Sequence, residues 1–334
     1  MVHSSFIVLF ICVSFVCSYA DTKVSVPIAP QASVHAVADA LKIATEKKDE
    51  NPSFDVTLLA HQATYDVKLH SSRMQDEETL QGNMTYEMLS YDNEWIIKQT
   101  SHMHVGKTGE KTHATLTSHE SNNGMTYGFT AQASSDGDTN ESQANPALEK
   151  TVITEELSPI IQEIIQCRAR ITGQGGAGTV MYESPEEMRI DLPAGTVFPL
   201  THLKMLIAKA KKMAPRSVEL VNAIVFDGSS DVRAPVRFHA IISRIDPQKK
   251  TIALKHPPFT SMPTLYRAEI RVYTMDTTEG KEEEPDYKII QIFSEDGILF
   301  ENIVEYGDEK LVSTLTDLKV FTEKTPENTL VMPK

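Results

Sequence analysis

Short runs in which apolar and polar residues alternate with a period of two recur along this chain, and few helical patterns of roughly ten to fifteen residues separate them. Tyr266, Ala268, Ile270 and Val272 alternate with Arg267, Glu269 and Arg271; Ile298, Phe300, Val304 and Tyr306 alternate with Leu299, Glu301, Ile303 and Glu305. Successive side chains of a strand point to opposite faces, so these runs read as a sheet with one buried face. Similar runs occur at Asp55–Leu69, Thr79–Leu89, Trp95–His104, Thr112–His119, Met125–Ala131, Thr179–Tyr182, Val218–Phe226, Val236–Ser243 and Leu311–Val320, many of them bounded by Gly, Asn, Asp or Pro. A parallel, doubly wound sheet needs a crossover helix between its strands. The chain is therefore predicted to be mainly β, a large antiparallel sheet or barrel with a few peripheral helices.

Three segments break the alternation. Val34, Val37, Ala38, Leu41 and Ala44 share one face of a predicted helix, and Leu200, Leu203, Leu206, Ile207 and Ala210 form a second stripe, with Lys204, Lys209, Lys211 and Lys212 expected on its solvated faces. The segment from Ala147 to Gln166 is expected to turn helical near Ser158, where Pro159 suits a first turn. Ala133 to Pro146, rich in Ser, Asp, Asn and Gln, reads as an exposed loop.

Phe6 to Val16 is an apolar run of signal-peptide length, and Ser18-Tyr19-Ala20 offers small residues for cleavage. The expected organisation is a leader over 1–20, a helical segment over 21–52, a β domain over 53–325 and a tail over 326–334. No second apolar stretch approaches the roughly 20 residues a bilayer span requires, so no membrane span is expected once the leader is removed and the rest is expected to be soluble. With 40% hydrophobic residues the chain is globular, and a formal net charge of −14 makes nucleic acid and anionic lipid surfaces poor default partners. Of the three cysteines, Cys12 and Cys17 lie in the leader, which leaves Cys167 as a buried small hydrophobe with no internal partner.

Several local patterns suggest catalysis or cofactor binding. Gly173 to Gly178 has the spacing G-x-G-x-x-G, but Thr179-Val180-Met181-Tyr182 follows as a strand where a dinucleotide site needs a helix; a glycine-rich strand connection is the better reading. His102 and His104 on one strand and His113 on the next could approach a zinc site, with His119 nearby. Lys107 and Lys111, and the lack of Cys or carboxylate at ligand spacing, favour exposed positions on a hairpin. G-x-S-x-G, S-x-x-K and H-E-x-x-H are all absent, and Asp227-Gly228-Ser229-Ser230 reads as a turn after a strand. Neither a metal nor a cofactor is expected.

Longer motifs carry more information. His61-Gln62-Ala63-Thr64-Tyr65-Asp66, Gly82 to Tyr86, Trp95, Leu192 to His202, Phe226-Asp227-Gly228-Ser229, Pro285-Asp286-Tyr287 and Glu305-Tyr306-Gly307 together resemble the EipB-type family of bacterial cell-envelope integrity proteins. That resemblance runs from about Ala60 to Val320. It implies a single-domain antiparallel β-spiral or broken barrel in the periplasm, and it brings no established catalytic residues. Family members typically join a Cys just before the tryptophan to one near the carboxy terminus; Tyr91 to Trp95 and Val320 to Lys334 contain none, so about 2–5 kcal/mol of loop-closure stabilisation has to come from packing.

The sequence thus points to a non-enzymatic periplasmic protein that supports the envelope, its curved sheet presenting a groove to an envelope lipid, lipoprotein or protein partner. The alternative is a hydrolase of an envelope polymer using His61, His202 and Asp227. His61, Tyr65, Trp95, Phe198, His202, Asp227 and Gly228 are the structural or ligand-contact candidates.

Overall fold

The computed structural model describes residues 54, 56–71, 80–105, 111–136, 163–172, 176–228, 233–246, 263–275 and 284–321. The leader, the helix expected from Val34, most of the loop after Ala133, the segment Ala147 to Gln162, Gly173 to Gly175, Ser229-Ser230 and the tail lie outside them.

The described strands are β1 (His61–Ser71), β2 (Leu80–Tyr91), β3 (Glu94–Val105), β4 (Lys111–Ser121), β5 (Thr126–Asp136), β6 (Glu163–Ile171), β7 (Gly178–Ser184), β8 (Met188–Leu192), β9 (Thr196–Val197), β10 (Val218–Val225), β11 (Val236–Arg244), β12 (Leu265–Thr274), β13 (Tyr287–Ser294), β14 (Leu299–Tyr306) and β15 (Glu309–Val320), with helix α1 (Pro199–Lys212) between β9 and β10. They form one 15-stranded sheet in the order β8 to β1, then β15 down to β9. Every pairing is antiparallel except β9 with β10. The two ends of the sheet, β8 and β9, are consecutive in the chain, so the architecture is a nearly closed, barrel-like ring broken at one seam. The predicted mainly-β fold is the one observed.

β15 joins the two halves of the sheet, β8 to β1 and β14 to β9. It pairs with β1 from His61 opposite Val320 to Ser71 opposite Glu309, so backbone hydrogen bonds tie the carboxy-terminal strand to the first one. A shift of register between Thr64 and Tyr65 accommodates the bend.

Period two is obeyed wherever one face is buried. On β12, Ala268, Ile270 and Val272 point inward, and Glu269 and Arg271 outward. The inward faces supply two apolar clusters. The larger spans β1–β3, β10–β15 and α1; the smaller gathers Leu116, Tyr127, Phe129, Cys167, Val180 and Tyr182 with Phe198 and Phe226. α1 lays Leu200, Leu203, Leu206, Ile207 and Ala210 against this interior.

Three expectations are corrected. Glu163–Ile171 is a strand, not the end of a helix: Cys167, Ala169 and Ile171 face inward, and ladders to β5 and β7 satisfy the backbone on both sides. The Ile-rich run is β-branched, and its apolar spacing only mimicked a helical period. Lys204 is buried rather than solvated, with its Nζ directed at the Asn122 carbonyl 3.5 Å away. The third concerns Tyr306, which stands on the exposed side because β14 ends there in a turn to β15.

Candidate functional site

Phe198, Asp227 and Gly228 converge at the seam. Phe198, fully enclosed, stacks on Tyr127 with ring centroids 5.2 Å apart and an interplanar angle of 18°. Phe226 meets Tyr127 and Tyr182 edge-on, each at 6.4 Å. The two tyrosine hydroxyls then hold the chain leaving β10: Tyr127 donates to the Asp227 carbonyl (2.8 Å) and Tyr182 to the Gly228 carbonyl (3.1 Å). Gly228 adopts φ +79°, and a Cβ there would lie 2.9 Å from Cys167 Sγ, so this position requires glycine on both conformational and steric grounds. The Phe-Asp-Gly motif is thereby locked onto β5 and β7 across the seam. Asp227 itself is buried. Burial, with Asp227 and Glu183 nearby, pushes the Cys167 thiol up to about 12.

The entry to α1 is governed by a residue that sequence reasoning missed. Phe198 occupies the cap position and has no side-chain acceptor, so the first amides of the helix need another partner. Glu120, reaching inward from β4, supplies it: Oε2 accepts from the Leu200 amide (2.8 Å), and Oε1 from the Thr201 amide (2.8 Å) and hydroxyl (2.6 Å). A carboxylate suits the positive end of a helix dipole. Complete burial nevertheless raises Glu120 to about 7, against the lowering effect of these hydrogen bonds and of Lys204. The one local sign of this role is a Glu at an inward position of an alternating strand, between Ser118 and the turn after Ser121.

A histidine in the first turn of a helix can bond the free backbone groups there. Glu120 has taken them, and both ring nitrogens of His202 are buried without a hydrogen-bond partner while the ring meets Phe238 edge-on at 5.0 Å. Burial lowers its pKa to about 4, so it is held neutral. His61 is equally enclosed. Its Nδ1 donates to the Leu59 carbonyl (2.8 Å), its Nε2 has no partner, and its ring lies 5.7 Å from Tyr86. Tyr65, four residues along β1, donates to the Leu299 carbonyl of β14 (2.9 Å), while Trp95 on β3 contributes to the main core. His61 and His202 each sit among apolar neighbours, and no hydrogen bond joins either to Asp227.

The opposite face of β1–β5 is polar. One cross-strand row runs Asp66, Asn83, His102, His113 and Ser134. A parallel row runs Thr64, Thr85, Thr100 and Thr115. A membrane-spanning barrel needs an outward apolar band, and this face has the opposite character. The first row, with His104, lines a groove of about 560 Å³. His102 and His113 stand directly opposite each other with ring centroids 4.5 Å apart, whereas His119 lies further along β4, across from Ile96. Among the described residues no three His, Cys, Asp or Glu side chains converge as metal ligands.

These features define a barrel-like protein with a packed interior, an aromatic lock at its seam and a polar outer groove. The EipB-like family matches residues 53–156 and 155–322, and the chain belongs to that family. In fold it is similar to the crystal structure of a β-barrel-like protein of the domain of unknown function DUF1849 from Brucella abortus, at 19% identity and a TM-score of 0.61, covering 80% of this chain and all of that one (100%). No curated protein matches the sequence.

Proposed function

We propose that this protein is a non-enzymatic periplasmic member of the EipB-like family that supports the cell envelope by holding an envelope protein partner in the outer groove of β1–β5. The observation that carries the reading is where the chemistry-bearing residues go. His61, His202 and Asp227, which a hydrolase would need to bring together, are each enclosed in packing, and His202 lacks even an orienting partner. A general base needs reach to its substrate and an orienting group, and neither histidine has both. Asp66, Asn83, His102, His104 and Ser134 stay accessible in one groove, a mixture of donors and acceptors suited to a polar polypeptide more than to an acyl chain.

The test is complementation in cells lacking the protein, challenged with a detergent. A triple substitution, Asp66→Ala with Asn83→Ala and His104→Ala, is expected to be exported at normal levels, to melt at the parental temperature and to lose envelope protection. Full protection by that variant would overturn the reading. A photo-crosslinker at Thr85, in the neighbouring row, separates the partner classes: recovery of a protein adduct supports the proposal, and recovery of a lipid adduct overturns it. Hydrolysis of an envelope polymer that disappears in a folded His202→Gln variant would establish the enzyme instead.

A further inference from the structure

We infer that His102 and His113 form a chelating site for a divalent transition cation, Cu(II) first among them. The site lies in the groove named above, but it needs no partner and stands whether or not a protein docks there.

The argument rests on placement and geometry. The antiparallel register puts the two residues directly opposite each other, both side chains leaving the same exposed face. A metal–imidazole bond is about 2.0–2.1 Å, which puts each ring centroid about 3.2 Å from the ion. Two such rings bound at adjacent positions, with about 90–110° between them, have centroids about 4.5–5.2 Å apart. The observed separation of 4.5 Å falls within that range. The planes are inclined by 38°, and both side chains sit at the surface, where a rotation about χ2 can turn a nitrogen toward a shared ion without disturbing the core.

Metal preference follows from ligand type and shape. Imidazole nitrogen is a borderline donor, and affinity for a given nitrogen site rises along the first row to a maximum at Cu(II), which also favours tetragonal geometry. Asn83, next in the same row across β2, brings an amide group beside His102, and Asp66 beyond it keeps an anionic group in the groove. Among the described residues no three His, Cys, Asp or Glu side chains converge there, so the two imidazoles alone leave the ion open positions for water or for a donor from a bound partner.

The test is calorimetric titration of the purified chain from Asp21 to Lys334, without the expected leader and its His3, with Cu(II) at pH 7.5, and electron paramagnetic resonance of the product. Saturable binding of one equivalent is expected in the micromolar range or tighter, with a signal split by two nitrogens. His102→Ala and His113→Ala should each weaken binding at least tenfold, while His119→Ala, on the same face of β4 but away from the pair, should leave it unchanged. Because both residues are exposed, circular dichroism should show the variants folded. Failure to saturate below millimolar Cu(II), or binding that survives both alanine variants, would overturn the assignment and leave the partner proposal untouched.

Discussion

The seam and the main core treat buried polar groups in opposite ways. At the seam, the buried hydroxyls of Tyr127 and Tyr182 are matched to the Asp227 and Gly228 carbonyls, and the Glu120 carboxylate is matched to three donors at the start of α1. In the main core, one inward row runs Gln291, Asn302 and Ser313 across β13, β14 and β15, and each of these has a buried polar atom with no hydrogen-bond partner, as do Gln99 and Ser101 on β3. An unpaired buried polar atom costs about 1–3 kcal/mol. The paired groups fix the one place where the barrel does not close through a ladder; the unpaired ones lie where ladders on both sides already fix the backbone. Specificity is thus concentrated at the seam and stability in the core.

The largest expected effect is at the aromatic lock. Phe198→Ala removes a fully enclosed ring stacked on Tyr127 and should cost about 3–5 kcal/mol in chemical denaturation. A loss under about 1 kcal/mol would mean the seam is not held by this packing.

Hydrogen bonding at the two sites gives a sharper contrast. Tyr127→Phe and Tyr182→Phe keep the rings and strand a buried carbonyl, so each should cost about 1–2 kcal/mol. Asn302→Leu, in contrast, exchanges an amide whose buried Oδ1 has no hydrogen-bond partner for an apolar group of similar size and should leave the melting temperature unchanged or raise it. If both kinds of substitution destabilise equally, the distinction between the regions fails.

Acid titration tests the same comparison with a smaller net effect, because two groups oppose each other. His202 has a folded pKa near 4, below its unfolded value, so the unfolded chain binds the proton more readily; its contribution is present above about pH 6.5 and lost as pH falls toward 4. His61 is shifted in the same direction. Glu120 is raised to about 7, so the folded state takes up the proton first and stability falls as pH rises from about 4.5 to 7. Glu120→Gln should therefore unmask a steeper fall in melting temperature between pH 6.5 and 4.5 than the parent shows. A flatter profile would show that Glu120 remains ionised in the folded protein throughout that range.

The smallest expected signal is at Cys167. Its thiol is buried and raised to about 12, so it should stay silent toward thiol reagents at pH 8 until the protein is denatured. Rapid labelling of folded protein would place the β6 side of the seam in contact with solvent.

Much of the sheet was legible in the sequence because alternation is local: a strand buried on one face carries its period in its own residues. β13 was missed for the converse reason, and β6 because its Ile-rich start imitates a helical spacing although Cys167, Ala169 and Ile171 alternate with exposed arginines. The late residues of β13, from Gln291 to Ser294, are buried on both faces and lose the alternation. Among the candidates, the motif residues Phe198, Asp227 and Gly228 were found, but the tyrosines that hold them were not, because their partners lie 100 and 46 residues away in the chain.

What the sequence determined by itself was the β class, the amphipathic stripe of α1, the turn glycine at Gly228 and the family resemblance, all of which rest on short-range periodicity or on contiguous motifs. Tertiary structure alone decided that Glu120 caps α1 from β4, that Lys204 is buried, that His202 is a neutral core residue and that His102 faces His113. The reason is register. A strand's own sequence specifies which of its faces is buried, but which residue stands opposite which is set by pairing across the whole sheet, and a shift of one residue would send every one of these side chains to the other face.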